Sequence, residues 1–70
     1  MPRFLVVIER APAAFSAYCP DLPGCVSTGA TPDETVTNMR TAIELHVEGL
    51  IEDGQPIPEP TTTAAYVEVP

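Results

Sequence analysis

The side chains able to do chemistry are few. One histidine, His46, and two cysteines, Cys19 and Cys25, are the only imidazole and thiol groups in 70 residues. A structural zinc site takes three or four ligands at short spacing, and neither Cys-x-x-Cys nor His-x-x-x-His occurs here. A thiol nucleophile needs a base within hydrogen-bond reach, and no spacing brings His46 to either cysteine. Both cysteines read instead as small buried hydrophobes, and His46, beside Ile43 and Val47, as a boundary residue on the flank of an apolar face. Glu9 and Asp21 are the acids a metal-dependent nuclease would have to use, and two carboxylates fall short of a two-metal site. Arg3, Arg10 and Arg40 form no phosphate clamp, and there is no Gly-rich phosphate loop. No catalytic, cofactor or metal residue is assigned, and the expectation is a protein without enzymatic activity.

Charge gives a sharper signal. Ten Asp and Glu stand against three Arg and no Lys, for a formal net charge of −7. Binding to phosphate backbones or anionic lipid needs a basic footprint, so nucleic acid and membrane surfaces are not expected partners. A basic protein is. Glu44, Glu48 and Glu52 recur every fourth residue and line one row of a helix. That row is either a solvated face or a docking stripe for a basic partner.

The element that carries this row organises the chain. Thr31-Pro32-Asp33-Glu34 is a helix start, with Thr31 at the cap, Pro32 at the first helical position and Glu34 placed to bond back to the cap. Val36, Met39, Ile43, Val47, Leu50 and Ile51 then recur at offsets that make one apolar stripe. Gly54 is the expected left-handed stop, with Pro56 beyond it. The helix so bounded has about 22 residues and is roughly 33 Å long.

Around it, short strands are expected. Arg3 to Glu9 is a near-continuous apolar run that reads as a central strand. Ala11 to Ala14 is a connection, with Pro12 ending the first strand. Phe15 to Cys19 alternates as a second strand, and Cys25 to Thr28 is a short third. Between them Pro20-Asp21-Leu22-Pro23-Gly24 is a rigid loop. Asp21, Leu22 and Pro23 form a second candidate docking surface, because prolines reduce the entropy lost when a loop is fixed in a complex. After Gly54, Pro56, Pro58 and Pro60 impose an extended, polyproline-like segment, either a stiff spacer or a ligand for an SH3-like groove. Ala64 to Val69 alternates as an edge strand. The order β-β-β-α-β predicts one domain over residues 1–70, an α+β two-layer sandwich with one long helix on a small, mostly antiparallel sheet. No apolar run reaches the ~18 residues of a membrane span, and no signal-peptide pattern is present. A cytoplasmic protein is expected, with Cys19 and Cys25 as free thiols or, if they face each other across the hairpin, a bridge. One helix covers one face of a thin sheet, so a homodimer or homotetramer is expected.

Pro20-Asp21-Leu22-Pro23-Gly24-Cys25, Gly29-Ala30-Thr31-Pro32-Asp33-Glu34, Ala42-Ile43-Glu44-Leu45, Gly54 and Ile57-Pro58-Glu59-Pro60 together resemble the HicB-type antitoxin domain. The resemblance covers nearly the whole chain. It implies a fold similar to a degenerate, partial ribonuclease-H-like domain. It also implies a small basic partner, the mRNA-cleaving toxin HicA. Two features depart from the family. Ala30 stands where Asp is frequent, and no C-terminal DNA-binding module follows the proline-rich tail, so direct operator binding is not carried over. The resulting expectation is a binding module that sequesters a HicA-like toxin through Asp21, Leu22 and Pro23 and through Glu44, Glu48 and Glu52. The alternatives are a stand-alone homo-oligomer and a residual nuclease.

Overall fold

The computed structural model describes residues 2–70. Three short antiparallel strands, β1 (Val7–Arg10), β2 (Phe15–Tyr18) and β3 (Val26–Gly29), lie side by side in chain order. One helix, α1 (Pro32–Glu52), packs on one face. This is the α+β two-layer arrangement expected for the family.

The register defines the faces. Residues directly opposite each other share a face, so Ile8, Ala17 and Ser27 lie on the helix side, while Val7, Tyr18 and Val26 form a row on the open side. Ala17 is buried and Val26 is 65% exposed, as that division requires. The helix packs chiefly on β3 and then β2, leaving β1 as the uncovered edge of the sheet.

The helix ends follow their local chemistry. The Thr31 hydroxyl accepts from the Glu34 N–H at 3.1 Å, the first of the two reciprocal bonds expected at this cap. At the other end the Gly54 N–H donates to Ile51 O and the Gln55 N–H to Leu50 O. Gly54 has φ +67°, which makes this the αL stop that spares two carbonyls from going unpaired. Gly29 has a different reason to be glycine. A Cβ there would lie 2.6 Å from Thr35 Oγ1 and 2.7 Å from the Thr35 nitrogen. The absence of that atom lets the end of β3 abut the first turn of α1.

Two expected strands differ. The first begins at Val7, not Arg3. Its ladder partner β2 ends at Tyr18, and the turn that opens at Pro20 leaves nothing for residues 3–6 to pair with. Phe4 and Val6 pack against the core instead. The final strand, Ala64 to Val69, does not form within the described residues. That segment joins no ladder, and Tyr66, Val67 and Val69 are fully or mostly exposed. Alternation specifies a strand only where an edge is there to receive it.

The core is small: Ala17, Cys19, Leu22, Cys25 and Met39, flanked by Phe4, Val6, Ala42, Ile43, Val47 and Leu50. Thr35 is buried beside it, its hydroxyl donating to Thr31 O at 2.7 Å. Cys19 and Cys25 are both free and buried. Burial pushes the Cys25 thiol up from its ordinary value, and the neighbouring Cys19 adds to the effect, so it stays protonated and unreactive near neutral pH.

Candidate functional site

The two surfaces singled out from the sequence have different structural roles. The loop from Pro20 to Gly24 is a closed turn. The Leu22 N–H donates to Cys19 O, the Cys25 N–H to Leu22 O, and the Cys19 N–H to Cys25 O, all between 3.1 and 3.2 Å. These bonds tuck Leu22 inward until none of it is exposed. The expectation that Leu22 offers an anchor to a partner is therefore corrected. Its side chain is part of the core, because a Leu between two prolines gains more from the apolar interior than from water. Pro23 stays exposed beside it.

Asp21 also faces the chain itself. Its carboxylate accepts from the Thr62 hydroxyl at 2.8 Å, the Thr61 hydroxyl at 3.3 Å and the Thr62 N–H at 3.3 Å. Local burial pushes its carboxyl up, but the bonds from Thr62 and Thr61 outweigh this and hold it below its ordinary value. Asp21 thus fastens the proline-rich segment to the loop, forty residues away in sequence. Asp21 and Glu9 belong to no cluster of three or more potential metal ligands, and the described residues contain none.

The helix row is presented outward. Glu44, Glu48 and Glu52 are all exposed, on the side of α1 away from Met39. Leu45 and Ile51, 63% and 61% exposed, flank the row on its two sides at helical spacing. They point away from the sheet, while Val47 and Leu50 at the same height on the helix pack against the core. The sequence signal for this patch was Leu45, which lies off the core stripe, and Ile51, which the 3.6-residue period carries away from the core by the last turn. Beside Glu44 a cavity of about 400 Å³ opens between the N-terminal run and the helix. Phe4, Val6, Val36 and Ile43 line it, with Arg3 and Arg40 among its polar residues. What the helix face can do is bind: it carries negative charge interleaved with accessible aliphatic surface and no reactive group.

The fold is a small three-stranded sheet with one capped helix whose outer face is acidic. The model of the HicB-like antitoxins of bacterial toxin–antitoxin systems matches residues 4–70. The chain belongs to that family. It is 40% identical over 58 residues to a UPF0150 protein of Synechocystis sp., covering 81% of this chain and 73% of that one. It is 34% identical over 65 residues to an uncharacterized 14.9 kDa protein from the rep-hol intergenic region of Haemophilus phage HP1. That match takes in 93% of this chain but spans only 49% of the phage protein. Among solved structures, a HicA3 and HicB3 toxin–antitoxin complex contains a chain that superposes with a TM-score of 0.68 at 29% identity. The superposition covers 84% of this chain and 72% of that one. No helix of the described residues is long and apolar enough to cross a membrane.

Proposed function

We propose that this chain is an antitoxin that sequesters a small basic toxin of the HicA type in the cytoplasm, by covering it and without chemistry of its own. The observation that carries the reading is the likeness to a chain of a solved toxin–antitoxin complex. The charge of −7 and the exposed Glu44, Glu48, Glu52 row supply a physical route. Acidic side chains at the rim raise the association rate and make it fall with salt. Leu45 and Ile51, desolvated in the complex, set the dissociation rate. Exposed Pro23 adjoins a rigid loop that loses little entropy on contact.

The test is stopped-flow binding to the basic protein that this chain captures in its native host. Replacing all three acids together (Glu44→Gln, Glu48→Gln, Glu52→Gln) is expected to slow association severalfold at low salt and to flatten its salt dependence. The helix is expected to persist, because removing like charges four residues apart does not weaken it. Ile51→Ser is expected to speed dissociation instead. Association of the triple variant at the wild-type rate would reduce the row to a solvated face, and the absence of any captured basic protein would end the antitoxin reading.

A further inference from the structure

The segment beyond Thr63 and the uncovered edge of β1 are each incomplete, and each has what the other lacks. Ala64 to Val69 alternates as a strand, yet Tyr66 is entirely exposed and Val67 and Val69 are each 81% exposed. An isolated run of this composition in water leaves both its backbone groups and its aliphatic side chains without partners. The chain's radius of gyration is 13.5 Å, against roughly 11 Å for a compact domain of this length. Its longest dimension is 47 Å.

The edge is equally open. β1 is paired on one side only, by β2. Edges are usually blunted by proline, lysine, a bulge or a covering element. No proline or lysine occurs from Arg3 to Arg10, and the helix lies over β3 and β2. At the opposite edge of the sheet the Asn38 side chain donates to the Thr28 carbonyl at 2.8 Å, so a helix side chain already occupies that strand. The free edge carries Glu9 and Arg10, one charge of each sign, while Glu68 is the arm's one ionised side chain.

The arm is held so that it projects. Pro56, Pro58 and Pro60 stiffen it, and Asp21 fastens it at Thr61 and Thr62. Thr62 and Thr63 pass the N-terminal run Arg3 to Val6 across a shared cavity, and seven residues, Ala64 to Pro70, follow them. Six extended residues reach about 20 Å, enough to lie along the whole of β1. We infer that two copies exchange these arms, residues 64–69 of each adding as a fourth strand to the β1 edge of the other. Main-chain hydrogen bonds supply the affinity, and the alternate side chains Ala65, Val67 and Val69 the register. Reciprocal exchange closes a two-fold dimer, so the exchange itself does not propagate to further copies. The fourth strand expected from sequence alternation is then present in the assembly. This inference does not depend on toxin binding.

Light scattering on the whole chain, with Val67→Pro beside it, is the first test. Proline removes a ladder N–H, and the arm lies outside the folded body, so the variant should keep its helical circular dichroism. Dimerisation is expected to weaken at least tenfold. The second test mixes a Val67→Cys chain with a Glu9→Cys chain and adds a short thiol-directed cross-linker, with Cys19 and Cys25 protected by burial. A cross-linked heterodimer is expected. A wild-type monomer at high micromolar concentration would overturn the inference, as would a dimer indifferent to Val67→Pro. A chain carrying both new cysteines that cross-links within a single dilute copy would also overturn it, because the arm would then be serving its own edge.

Discussion

The two halves of α1 obey different constraints although they are one continuous helix. From Thr31 to Ile43 nearly every device is structural. The cap hydroxyl bonds the first turn, Thr35 is sealed against Gly29, and Met39 is fully buried. From Glu44 to Glu52 the outer side holds three acids and two exposed aliphatic residues, while only the inner side, through Val47 and Leu50, joins the core. The lesson is that sheet length partitions the helix. Strands of four residues can seat about two turns, and the part of the helix beyond them has only its inner side against the core.

Exchanging buried for exposed side chains is the strongest way to break this contrast. Met39→Ala is expected to cost about 2–5 kcal/mol by cavity formation. That is a large share of the roughly 3–10 kcal/mol available to a domain this size. Leu45→Ala, six residues further along and 63% exposed, should stay within about 0.5 kcal/mol. Urea titrations of the two variants compare them directly, and near-equal costs would show that the overhanging half is packed after all. Leu22→Ala belongs with Met39→Ala, since both side chains are fully buried.

A smaller effect sharpens the contrast at the helix start. Thr31→Ala removes the hydroxyl that accepts from Glu34 and should cost about 1 kcal/mol. Thr31→Ser, which keeps that acceptor, should be nearly silent. A thermal melt distinguishes them.

The smallest effect concerns the fastening of the arm. The hydrogen bonds from Thr62 and Thr61 lower the Asp21 carboxyl below its ordinary value of 3.8. A carboxyl depressed in the folded state contributes stability that is complete above its unfolded value and is lost as pH falls through the folded one. Amide exchange or chemical shifts at Thr62 should therefore be constant at neutral pH and change below about pH 4. Asp21→Asn should remove that acid transition while leaving the sheet intact.

Much of the fold was legible because it is written in short-range chemistry. Thr31 and Pro32 mark the start of α1, Gly54 its end, and Pro12 and Pro20 the ends of two strands, each within a few residues of the structure it controls. What sequence could not reveal depends on distant neighbours. Leu22 sits among turn residues, and only the closed turn of Cys19 to Cys25 shows that it faces inward. Thr35 is polar and falls outside any apolar stripe, although Gly29 six residues earlier makes room for it. Asp21 reads as a solvent-facing acid until Thr62, 41 residues later in the chain, donates to it. Of the candidate binding residues, the glutamates were identifiable by spacing, whereas Leu45 and Ile51 are aliphatic residues whose exposure follows from their angular position on the helix relative to the core stripe.

The sheet order has a consequence in time. Strands β1, β2 and β3 lie side by side in the order of synthesis, with no crossover, and α1 packs on the strand just before it. Contacts so local in sequence place a chain among those that acquire their structure in microseconds to milliseconds. Each element can settle on its predecessor as it emerges from the ribosome. The closure of Thr62 onto Asp21 spans 41 residues and must await the whole helix. The arm is thus the last part to find its place, and until it does the nascent chain has no means of directing it.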